Sequence, residues 1–155
     1  MLVEERLVAE VVRGIDALPM VEDESTQVSW FAARQPAIVR YLASRCGESS
    51  DAMAVALHYA CAIERAFQAR LGLAPPRVVG GLLARAESAF VAEAQTRGRA
   101  GGGLVDRQPA LAQLVADVVS GPPVPLEDAD ATRVGVALAA VVYALDETAF
   151  GRPVP

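Results

Sequence analysis

Twelve successive residues without a charge, Val134-Gly-Val-Ala-Leu-Ala-Ala-Val-Val-Tyr-Ala-Leu145, do most to limit what this chain can fold into. Wound into an α-helix they are apolar on every side, so the helix needs neighbours all round and belongs at the centre of a bundle. A second uncharged run, Ala52 to Ile63, has the same length. Both fall short of the about 20 residues that a membrane-spanning helix requires.

Elsewhere the apolar residues recur with helical spacing, and strand-like alternation is nearly absent. Leu7, Val8, Val11, Ile15 and Leu18 share one face, with Glu5, Glu10, Arg13 and Asp16 off it, and Pro19 and Glu22-Asp23-Glu24 end that segment. A second helical stretch runs from about Ser25 to Cys46, with Gly47 at the position after its end. Pro36 falls inside it and predicts a kink, or a break with the second half starting at the proline. Ser49, Ser50 and Asp51 are N-cap candidates for a third helix reaching Leu71, which Gly72 and Pro75-Pro76 stop. A fourth spans about Arg77 to Arg97, with Gly80-Gly81 weakening its first turn.

Gly98 to Gly103 reads as a flexible joint, Asp106 as the cap of a fifth helix ending near Ser120, and Pro122-Pro123-Val124-Pro125 as a stiff connection. The last helix opens at Asp128 or Asp130 and continues to about Phe150. The expectation is an all-α, single-domain bundle of about six helices over 1–155, with 50–71 and 127–150 at its centre and no sheet.

One phrase recurs. Arg34-Gln-Pro-Ala37 returns as Arg107-Gln-Pro-Ala110, and each is followed by a helix ending in Glu-x-Ala-Phe, at Glu64 to Phe67 and Glu147 to Phe150. A third such ending, Glu87 to Phe90, lies between them. Two duplicated helical halves, about 25–71 and 107–150 joined by the Gly-rich linker 98–103, would give this order. Chance recurrence in a chain with thirty alanines is the competing reading.

Net charge of -5 argues against a general nucleic-acid or anionic-membrane binder. The charge is uneven: residues 60–107 carry +3 and the flanking segments -4 each, so the middle has the sign to receive an acidic partner. The first residues, Met1-Leu-Val-Glu-Glu-Arg, put acids where a secretory signal needs a positive region, and cytoplasm is the expected location. Cys46 and Cys61 are expected as free thiols, because about ten helical residues place them roughly 15 Å apart.

Glu64 is the most informative candidate for chemistry. It falls on the apolar face defined by Met53, Leu57, Ala60, Phe67 and Leu71, where a carboxylate must be paired, metal-bound or protonated. Glu93 lies near a similar stripe, and two inward carboxylates on neighbouring helices are how bundles build ligand or metal sites. The Glu-x-x-His pairs of di-iron sites are missing, since His58 follows Val55. The bland alternative is an ion pair between Glu64 and an arginine on a facing helix.

His58 with Cys61 makes too small a zinc set. It also makes an unsupported nucleophile pair, and Gly98 to Gly103 lacks the Lys-Ser/Thr of a phosphate loop. No catalytic residue, cofactor or metal is assigned, and an enzyme is the less favoured class. Trp30, Phe31 and Arg34, crowded before Pro36, suit either a core plug or an interaction hot spot. The reading is a non-catalytic helical interaction or regulatory module, expected to self-associate or bind a protein partner through Trp30, Phe31 and Arg34. The alternative is a small-ligand or metal-binding bundle using Glu64 and Glu93.

Overall fold

The uncharged run becomes the middle of the longest helix. A computed structural model, describing residues 1–16, 23–97 and 102–155, shows eight helices and, among the described residues, no strand. They are α1 (Glu5–Asp16), α2 (Asp23–Arg34), α3 (Pro36–Cys46), α4 (Ser50–Leu71), α5 (Gly80–Arg97), α6 (Gly102–Arg107), α7 (Pro109–Ser120) and α8 (Asp128–Phe150). From Val134 to Leu145 every residue except Val136 is buried, because α3, α4, α5 and α7 all pack on α8. α4 is the second central helix and receives α1, α2 and α3 on its other sides. None of the described helices is long and apolar enough to cross a membrane.

The count exceeds six because two helices begin at a proline. Pro36 and Pro109 each occupy a first helical turn, where the missing N–H costs nothing. Each forces the preceding residue out of the helical region, leaving Gln35 at φ -127°, ψ 60° and Gln108 at φ -143°, ψ 73°. The first break follows the expectation for Pro36. The second corrects the fifth helix: Asp106 does not cap it but lies inside α6, and α7 starts afresh at Pro109.

Ser49 caps α4 as expected, its hydroxyl accepting the Ala52 N–H at 3.2 Å. Gly72 and Gly151 end α4 and α8 with φ of 76° and 69°, a conformation that favours glycine. α5 begins at Gly80 rather than Arg77, leaving residues 74–79 non-helical. The expectations for Leu18, Pro19, Glu22 and residues 98–101 lie outside the described residues, but Gly102 and Gly103 form the first turn of α6.

The core is aliphatic and tightly spaced. Phe31, Ile38 and Leu42 line one side, Leu104, Leu111 and Val115 the other, with Phe67, Leu138 and Leu145 between the central helices. Each such side chain stabilises the fold by about 1.5–3 kcal/mol through removal from water. α7 and α8 approach closely where Gly135 faces Val119, whose Cγ2 would lie 2.5 Å from a Cβ on residue 135. Gly135→Ala should therefore cost about 1 kcal/mol in chemical denaturation, overpacking exceeding the gain in helix propensity. In a Val119→Ala background the same change should stabilise by about 1 kcal/mol; an unchanged sign would show that the contact does not set the spacing.

Candidate functional site

Two fully buried carboxylates organise the interior, Glu64 on α4 and Asp146 on α8. Each faces an arginine placed by the end of a short helix. Arg34, last in α2, donates from Nε and Nη2 to Glu64 Oε1 at 2.9 and 2.5 Å. Arg107, last in α6, donates from the same atoms to Asp146 Oδ2 at 3.0 and 2.8 Å. A buried charge is tolerated only when paired in this way, and the two pairs tie α2 to α4 and α6 to α8.

The glutamine after each arginine has a backbone outside the helix, which frees its side chain to reach across the fold. Gln35 Oε1 accepts the Val78 N–H at 2.9 Å and its Nε2 donates to the Pro76 carbonyl at 3.0 Å. Gln108 Oε1 accepts the Val3 N–H at 2.8 Å, and its Nε2 donates to the Met1 carbonyl at 3.1 Å and to Asp146 Oδ1 at 2.7 Å. A side-chain amide has one donor and one acceptor side, so it pairs with a main chain as another peptide group would. Val3 and Val78 are themselves buried, each just ahead of a helix. The arrangement is a clasp, made twice. Even the preceding turn agrees: the Gln35 N–H meets the carbonyl of buried Phe31, and the Gln108 N–H that of buried Leu104.

The two clasps differ in what covers them. At the second, residues 151–154 run back over the site. Arg152 donates to Asp146 Oδ1, Arg107 donates to the Arg152 and Pro153 carbonyls, and Glu147 accepts the Val154 N–H at 2.6 Å. At the first, among the described residues, Arg34 bonds to Glu64 alone, and Glu64 Oε2 is buried without a hydrogen-bond partner. The Arg34 side chain is 32% exposed against 15% for Arg107. The residue after the carboxylate also changes sign, from Glu147 to Arg65. Burial pushes the Glu64 carboxyl above its usual range, with Arg34 and Gln35 pulling it back.

The residues singled out from the sequence therefore divide. Phe31 is the core plug, Arg34 is the partner of Glu64, and Trp30 stands 61% exposed. Glu64 and Glu93 have separate partners: Glu93 accepts the Tyr143 hydroxyl at 2.8 and 2.9 Å and the Gly103 N–H at 2.9 Å. A Cβ at Gly103 would lie 2.3 Å from a Glu93 oxygen, so this glycine serves close approach. Glu87, from the third Glu-x-Ala-Phe phrase, binds the Tyr41 hydroxyl at 2.6 Å and Arg45 at 2.7 Å.

Cys46 and Cys61 are free and buried, and burial pushes both thiols up. His58 meets the Tyr59 ring edge-on. Among the described residues, no three His, Cys, Asp or Glu side chains are grouped to hold a metal. An open depression of about 460 Å³, lined by Ala84, Arg85, Ser88, Ala89, Val154 and Pro155, contains none of these candidates.

Gln35, Gln108, Asp146 and Arg152 were not singled out from the sequence. The recurring Arg-Gln-Pro-Ala phrase was their only signal, and its Glu-x-Ala-Phe companion matches Glu147 to Glu64, whereas Asp146 takes the corresponding bonds. Compared with protein-family models, curated proteins and solved structures, the chain matches none.

Two outcomes follow from this geometry. A carboxyl whose folded pKa lies above its unfolded value loses stabilisation as pH rises from the unfolded value, near 4.5, through the folded one. Urea midpoints should fall over that window in the parent, and Glu64→Gln should remove that part of the slope; equal slopes would contradict the assignment. Gln35→Ala should expose the Val78 amide to hydrogen exchange and Gln108→Ala the Val3 amide, each at a cost of about 1–3 kcal/mol. Exchange unchanged at the matching amide would break the clasp interpretation.

Proposed function

We propose that the chain is a non-catalytic helical interaction module that meets a protein partner through the surface around Trp30. The observation that supports it most is the 61% exposure of the one tryptophan. That exposure is not laxity of the helix end. Phe31 beside it is fully buried, and Arg34, one turn on, is fixed to Glu64. A large amphipathic ring held out on a rigid support loses little conformational freedom on binding, and tryptophan and arginine are the residues most enriched at interface hot spots. Net charge favours a protein partner over a nucleic acid, and a second copy of the chain is the first partner to test. A small ligand or metal held jointly by Glu64 and Glu93 has less support, because each carboxylate already has its own internal partner.

The single tryptophan is its own reporter. Sedimentation velocity and Trp30 emission, followed together over micromolar to millimolar protein and with cell extract added, should show association accompanied by a blue shift. Trp30→Ala should abolish association while leaving the urea midpoint within about 0.5 kcal/mol of the parent, as expected for an exposed site. Emission of a fully hydrated indole under all these conditions would remove the reading.

A further inference from the structure

The second clasp shows what the first one lacks. Over Arg107 lies a non-helical segment, residues 151–154, that gives the guanidinium two main-chain carbonyls and gives Glu147 an N–H. No segment of the described chain does the same for Arg34, whose side chain is twice as exposed and whose companion Glu64 keeps one buried oxygen unpartnered. The rim of the open clasp is also recharged. Arg65 stands where the other clasp has Glu147, and Arg77 stands one residue before Val78 where the other has Leu2 before Val3. Arg77 is exposed, and among the described residues it bonds the Ala33 carbonyl, at 3.3 Å, and pairs with no carboxylate. Ala33 is one helical turn from Trp30, which puts the indole, Arg34 and Arg77 on one continuous surface.

We infer that the partner presents an extended, acidic peptide segment, which lies over Arg34 as residues 151–154 lie over Arg107 and sets carboxylates against Arg65 and Arg77. The main-chain carbonyls of the segment fill the open edge of the Arg34 guanidinium, and its flank covers Trp30. Charge selects it: the open rim carries Arg65 where the filled one has Glu147, and Arg77 where the filled one has Leu2. The inference rests on the reading of Trp30 as a contact surface and adds the kind of occupant.

The test uses the full chain and two end-blocked synthetic peptides in the register of residues 151–155, Gly-Glu-Pro-Glu-Pro and its charge reversal Gly-Arg-Pro-Arg-Pro, with Trp30 emission as readout. The acidic peptide should bind saturably, at least tenfold more tightly than the basic one, and weaken as salt rises from 50 to 500 mM. Arg34→Ala leaves Glu64 buried without a counter-charge and endangers the fold, so the deciding variants are at the half-buried Arg65 and the exposed Arg77, Arg65→Glu and Arg77→Glu, each expected to weaken binding about tenfold. Preference for the basic peptide, or binding indifferent to both variants, overturns the inference. Silence of both peptides in a protein whose Trp30 is still covered on association overturns it and leaves the contact surface standing. If neither peptides nor association moves the emission, both fall.

Discussion

A carboxylate taken fully out of water has to be met by charge and by hydrogen bonds, and in this chain that demand is made in the C-terminal half of both central helices. Glu64 and Asp146 each fix an arginine at the end of a short helix, and each arginine fixes the glutamine that follows. The glutamines in turn hold the non-helical residues that lead into α5 and α1. Take away the carboxylates and the arginines lose their anchor, the helix breaks lose their orientation, and two helices lose the point from which they start. Six of the eight helices among the described residues (α1, α2, α4, α5, α6 and α8) are linked through these two acids, while the apolar core supplies bulk stabilisation with little directional preference.

Much of this was legible beforehand, for identifiable reasons. The all-helical class and the two central helices follow from runs such as Val134 to Leu145 and Ala52 to Ile63, whose burial demand is independent of detail. The break at Pro36 follows from the geometry of proline. The equivalent break at Pro109 was hidden by the pull of Asp106 as a cap, although the repeated Arg-Gln-Pro-Ala phrase already contained it. Glu64 announced itself by violating an apolar face. The glutamines did not: a neutral amide between two helices breaks no periodicity, and its partners Val3 and Val78 are 105 and 43 residues away along the chain. Asp146 sits at the edge of the apolar run, where an acid looks like the return of the solvent face.

The two clasps also show how one local design can be put to different ends. Where residues 151–154 cover it, the design is a closed structural lock, with every oxygen of Asp146 used. Where nothing from the described chain covers it, the same arginine and glutamine leave a guanidinium edge and an indole at the surface. The difference lies in a few side chains at the rim rather than in the helices beneath. The charge of the rim is thus separable from the buried pair: it changes sign between the two clasps while the arginine–carboxylate pair underneath stays the same.

The span of the clasps along the chain carries a further consequence. The first joins residues 34 to 78 and is complete once residue 78 has been made. The second joins Met1 to Gln108 and to Arg152, a separation of 151 residues at its widest. During synthesis at about 5–20 residues per second, residues 1–3 wait for several seconds before the groups that hold them exist. Until Gln108 is made, Val3 lacks its amide partner, and of α4 and α7, on which α1 packs, only α4 exists. The order in which the ribosome delivers the two carboxylates therefore sets the order in which the clasps close: the one that leaves Arg34 exposed is built before the one that residues 151–154 seal.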